Sequence, residues 1–106
     1  MPDKNPSSGV RIFFHFSPVE NRYSIASNGL APVFSQGLRQ VVWLCAKYKT
    51  SWARKHVARW KKCSTHHLDM WVVSVQRRSL RLIRNGVYIC RDHIPPNALE
   101  IARLGS

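Results

Sequence analysis

Apolar residues fall in short runs along this chain, each closed by a turn residue. Val10 to Ser17 (VRIFFHFS) is apolar and aromatic, the composition of a buried strand, and Pro18 ends it. In the next segment, Val19 to Asn28, the apolar positions Val19, Tyr23, Ile25 and Ala26 recur at helical spacing, so one face can pack. Ser17 is placed to cap that helix, Glu20 lies in its first turn where the dipole favours an anion, and Gly29 stands at its C-cap. Ala31 to Gly37, with Pro32 and Gly37, reads as a loop.

Gln40 to Ala46 (QVVWLCA) is a second strand. Thr50 is a cap for a helix over Ser51 to Lys62, which brings Trp52, His56, Arg59 and Trp60 close to one stripe with cations around it. Such a stripe either packs the helix or presents rings and cations to a single strand of nucleic acid. Cys63 to His67 is a polar connection, and Asp69 to Gln76 (DMWVVSVQ) a third strand. The basic run Arg77 to Arg84 fits a turn with a short helix or an irregular strand. Asn85-Gly86 signals a turn before the strand Val87 to Cys90, and Ile94-Pro95-Pro96 is an extended break. Leu99 to Leu104 gives a last short strand or helix. About five strands and two helices, interleaved early, predict an α+β domain.

The 106 residues suit one domain over 10–104, with 1–9 as a disordered polar lead-in. No apolar run is long enough to span a bilayer as a helix, and a soluble cytoplasmic monomer is expected. Seventeen Lys and Arg against five acids give +12, which points to a polyanionic partner, nucleic acid above all and RNA before DNA. The acids Asp3, Glu20, Asp69, Asp92 and Glu100 are scattered, which argues against a paired-carboxylate hydrolase or a carboxylate cage for Mg²⁺. Three cysteines, Cys45, Cys63 and Cys90, give no complete disulfide framework. Cys63 with His66 or His67, and Cys90 with His93, have zinc-ligand residue types, but no metal is expected.

Four segments recur in an order with a family precedent. Phe14-His15-Phe16-Ser17 is similar to a His-Gly-Thr strand end, and Ile25 to Leu30 to a helix closing on Gly-Leu. Arg39 to Cys45 (RQVVWLC) is similar to Arg-x-x-Val-His-Leu-Ser. Asn85 to Ile89 with His93 to Pro96 is similar to Asn-Gly-Val-Trp-Leu followed by Val-Pro-Pro. Taken together, residues 11–103 resemble the NAD-using lobe of the RNA 2′-phosphotransferases, a branch of the ADP-ribosyltransferase superfamily. The chain departs from that pattern at Phe16-Ser17, Trp43 and Cys45, and it is expected to start directly at the NAD-lobe strand, without the family's additional N-terminal RNA-binding lobe.

The resemblance implies a small split-sheet domain that uses NAD. In that family a 2′-phosphate on RNA displaces nicotinamide, and the ADP-ribosylated phosphate then cyclises onto a neighbouring ribose hydroxyl. By this resemblance His15, Arg39 and Arg84 form the catalytic set, with Arg81 the alternative to Arg84 because Leu82 occupies the family's usual offset. The NAD-binding set is His15, Ser17, Arg39, Trp43 and Tyr88. Arg54, Lys55, Lys61, Lys62, Arg77, Arg78 and Arg81 are expected to form a continuous track for nucleic acid. The acceptor remains open among an RNA phosphate, a nucleic-acid base and a protein. The rival readings are a non-catalytic RNA- or DNA-binding module that keeps the fold, and a protein-modifying toxin.

Overall fold

Alternation along the first strand, β1 (Val10–Pro18), sets the architecture. Successive side chains of a strand point to opposite faces. In a computed structural model that describes residues 9–35 and 38–102, and the side chains of all of these except 33–40, Phe13 packs with Val42, Leu44, Val73 and Ile94. Phe16 and the half-buried Phe14 enter a second cluster with Cys45, Ala53, Ala58 and Leu68. The sheet thus separates two apolar layers, and one helix covers each.

β4 (Leu68–Gln76) runs antiparallel along the whole of β1, from Val10↔Gln76 to Pro18↔Leu68, and β7 (Leu99–Ile101) pairs on its far side. On β1's other flank lies β3 (Leu38–Cys45), followed by β6 (Val87–Cys90) and β5 (Leu80–Arg84), while β2 (Val33–Ser35) pairs with β3. The result is an α+β fold on a seven-stranded sheet, against about five strands expected. β2 falls in the expected Ala31–Gly37 loop, and β5 follows a 3₁₀ turn at Arg77–Ser79. The Asn85-Gly86 turn, with Gly86 at φ 75°, joins β5 to β6 as expected. The expected lead-in, apart from Gly9, and residues 103–104 lie outside the described residues.

α1 (Arg22–Asn28) is shorter than the expected helix, because Val19–Asn21 winds as a 3₁₀ turn. At about three residues per turn that start shifts the phase of the apolar positions. Ile25 is buried, whereas Tyr23 is 89% exposed. Ser17 does not cap this helix: its Oγ accepts from Asn21 Nδ2 at 3.2 Å. Gly29 does close it, its N–H donating to Ile25 O at 2.8 Å.

α2 (Thr50–Lys61) buries Ala53 and Ala58, with Val57 half-buried beside them. Its tryptophans do not pack the core; Trp52 and Trp60 are 41% and 44% exposed. Thr50 is not its cap either, since Oγ1 donates back to Lys47 O at 2.9 Å. The helix ends on Lys62 in the left-handed conformation (φ 57°). Cys63 N donates to Ala58 O at 2.9 Å and Lys62 N to Arg59 O at 3.2 Å, the paired bonds of a Schellman ending. Glycine adopts that conformation without a Cβ penalty, so Lys62→Gly is expected to stabilise the fold by about 0.5–1 kcal/mol. Thermal melts followed by circular dichroism check this; an unchanged or lower Tm would contradict the strain assigned to Lys62. Among the described residues, no helix is long and apolar enough to cross a membrane.

Candidate functional site

β1 and β3 pair at Phe14↔Cys45 and, among the described residues, nowhere else. Beyond that point the strands part, because β1 stays with β4 while β3 follows β2 and β6. A cleft of about 540 Å³ fills the opening and is lined from both faces of the sheet. Small-molecule sites commonly enclose about 300–1,000 Å³. His15, Ser17, Asn21 and Ser24 line it on the α1 side, and Trp52, His56, Trp60 and Lys61 on the α2 side. Trp43 and Arg84 complete its wall.

His15 bridges the parting strands. Its Nδ1 lies 2.8 Å from the carbonyl oxygen of Trp43 on β3, and a carbonyl can only accept. Nδ1 therefore carries the proton, and in the neutral ring Nε2 is an acceptor. The ring is half-buried, and part of its surface reaches the cleft. Burial pulls its pKa below the usual 6.5 despite the bond to Trp43, and the charge of Lys61 acts in the same direction as burial. The imidazole is neutral at pH 7.

The charge of the cleft is one-sided. Lys61 and Arg84 line it, and no Asp or Glu does among the described residues. The nearest carboxylate in the strand register is Asp69, opposite Ser17. It is buried and bidentate to Arg22, with Nε to Oδ2 at 3.0 Å and Nη2 to Oδ1 at 2.7 Å. Cys45 also lines the cleft, and burial pushes its thiol up to about 11, so it stays protonated and unreactive.

Of the residues proposed for the site, His15, Ser17, Trp43, Lys61 and Arg84 meet at this cleft. Arg84 reaches it because it pairs with Val87, another lining residue; Arg81 sits further along β5, opposite Ile89. Arg39 lies in β3 two residues before Val41 of the cleft wall, and its side chain is outside those described. Tyr88 is not at the site. It alternates with Val87 to the opposite face and meets Phe13 edge-on, ring centroids 4.7 Å apart.

The expected continuous basic track is divided. Arg77 and Arg78 follow the Gln76 end of β4, nine positions beyond Leu68, which packs on α2; at strand rise that is roughly 30 Å. Arg81 is exposed on β5, and Lys62 on the turn after α2. Arg54 is half-buried, its guanidinium 5.3 Å from the Phe16 ring, while Lys55 is exposed on α2.

Asn21, Ser24, His56 and Trp60 of the cleft were not proposed as nucleotide ligands. The signal for His56 and Trp60 was their spacing of four and eight residues from Trp52; the signal for the α1 residues depends on where that helix lands. The zinc-type residues are dispersed in other contacts: Cys90 lies in the core, and His93 donates from Nε2 to Asn28 O at 2.6 Å. Among the described residues, no three His, Cys, Asp or Glu side chains come together to hold a metal ion. Compared with protein-family models, with curated proteins and with solved structures, the chain matches none.

Proposed function

We propose that the protein transfers ADP-ribose from NAD to a phosphate-bearing or nucleic-acid acceptor in the cleft between β1 and β3. The observation that carries this reading is the neutral His15, fixed by Trp43 O across the gap and offering Nε2 as an acceptor. An acceptor nitrogen suits a ribose hydroxyl, which donates, and does not suit a pyrophosphate, which cannot. Anionic groups fall instead to Lys61 and Arg84, and a guanidinium fork fits phosphate well. Ser17 and Asn21 add neutral polar groups of the kind that orient sugar hydroxyls.

That no carboxylate among the described residues lines the cleft favours an acceptor that is already charged. A phosphate needs no base to remove a proton before it attacks, whereas an alcohol does. NAD would supply the ADP-ribosyl group: the acceptor oxygen bonds to the ribose carbon as its bond to nicotinamide breaks, and nicotinamide leaves neutral with the electron pair. Lys61 and Arg84 bring the anions together and hold the acceptor oxygen near that carbon. His15 orients the sugar.

Two assays test the reading. NAD or ADP-ribose at millimolar concentration is expected to raise the Tm, and labelled NAD incubated with 2′-phosphorylated RNA is expected to release nicotinamide. No thermal shift and no nicotinamide release, with plain RNA, DNA and protein also tried as acceptors, would reject it.

A further inference from the structure

Trp52, Lys55, His56, Arg59 and Trp60 follow the spacing i, i+3, i+4, i+7, i+8, which puts them on one face of α2. In a surface helix that face ordinarily meets the core. Here Ala53, Val57 and Ala58 take that role, and the five residues face away from the core, with Trp52, His56 and Trp60 at the cleft. Trp52 and Trp60 leave 41% and 44% of their surface exposed, and Lys55 and Arg59 are exposed between them. His56 lies parallel to Trp52, centroids 4.8 Å and planes 13° apart. Cations lie over the outer rings as well, Lys49 Nζ at 5.2 Å from the Trp52 centroid and Lys61 Nζ at 4.3 Å from that of Trp60. No acid occurs between Lys47 and Lys62.

We infer that this face of α2 is a docking platform for single-stranded nucleic acid. Trp52, stacked with His56, and Trp60 are two ring platforms whose indoles are about 12 Å apart along the helix axis. Unpaired bases stack on such rings without regard to sequence as Lys49 and Lys61, which lie over them in the free protein, swing out to the phosphates with Lys55 and Arg59. A protein partner with an acidic surface would satisfy the cations but not two exposed indoles. A duplex would satisfy the cations as well, but its bases are already stacked on one another and their faces are closed to the rings. The strand then passes the cleft mouth at Trp60 and Lys61, where its phosphates come within reach of the ring of groups around His15.

As a statement about the acceptor, this inference rests on the transferase reading. Strand binding itself is measured without NAD, so each can fail alone. The experiment is fluorescence anisotropy with a labelled ten-nucleotide oligouridine, the oligothymidine of the same length, and a ten-pair RNA duplex. Trp52→Ala and Trp60→Ala are each expected to weaken single-strand binding about tenfold and to change duplex binding less than twofold. Lys55→Gln with Arg59→Gln is expected to reduce the slope of log affinity against log salt by about 1 to 2. Circular dichroism confirms that each variant folds, and Trp60→Phe, which keeps a ring, is expected to retain most of the affinity. Equal binding of duplex and single strand, with no effect of the tryptophan changes, would overturn the inference. So would an unaltered salt slope in the doubly neutralised variant.

Discussion

Gly29→Ala is expected to lower stability by at least about 3 kcal/mol and the Tm by at least about 10 °C. Gly29 sits at φ 81° and ψ −164°, a backbone region that is essentially reserved for glycine. A methyl group there would stand 2.0 Å from Ile94 O and 3.1 Å from the carbonyl carbons of Ile94 and Pro95. These are backbone atoms and cannot swing aside. Ile94 O is also the acceptor for Leu30 N at 2.9 Å, in a bridge returned by Ile94 N to Leu30 O at 2.9 Å. Leu30 and Ile94 are both in the main core cluster, so moving either opens the layer beneath α1. Gly9→Ala is the control: its added methyl would meet only the end of the Gln76 side chain, at 2.9 Å, and that chain can turn. Thermal melts of the two variants decide the matter. Equal Tm values for Gly29→Ala and wild type would mean that the close approach to Ile94 does not exist.

His15→Ala is expected to leave a folded protein that has lost at least tenfold in NAD affinity, about 1.4 kcal/mol. The loss combines a missing acceptor for a ribose hydroxyl with a freed Trp43 carbonyl at the wall of the cleft. Titration calorimetry measures it, and unchanged affinity would remove His15 from the site. The same side chain sets a pH dependence. Its folded pKa lies below the unfolded value of 6.5, so between the two the unfolded chain binds a proton that the native chain refuses. Its contribution to stability is therefore fully present above about pH 6.5 and is lost as the pH falls from there through the folded pKa. Comparing wild type with His15→Gln across pH 5 to 8 isolates this from the carboxylates. The difference in Tm is expected to shrink toward the acid end. Dinucleotide affinity is expected to stay level above pH 6.5, since the ring remains the neutral acceptor.

Some of this was legible residue by residue. The run Val10 to Ser17, the turn at Asn85-Gly86 and the strand Val87 to Cys90 each state their structure locally, through aromatic and β-branched content and a glycine where φ must be positive. β5 was harder to read because it is an edge strand: four of its five residues are exposed, and the alternation Leu80-Arg81-Leu82 breaks at Ile83. It exists through its pairing with β6. The 3₁₀ turn at Val19–Asn21 moved Tyr23 from an expected packing position to solvent, and no single residue in that segment announces the change.

By itself the sequence determined the α+β class, the Gly29 helix ending, the excess of cations and the scatter of its few carboxylates, because each is a property of neighbouring residues or of composition. The tertiary structure alone decided that pairing between β1 and β3 stops after Phe14 and Cys45, that Arg84 rather than Arg81 lines the resulting cleft, and that Tyr88 turns away from it. It also decided that alanines, not tryptophans, hold α2 to the sheet. These outcomes depend on which strand competes for which edge and on how closely two backbones approach. Those are energies between residues far apart in the chain, and no window of sequence contains them.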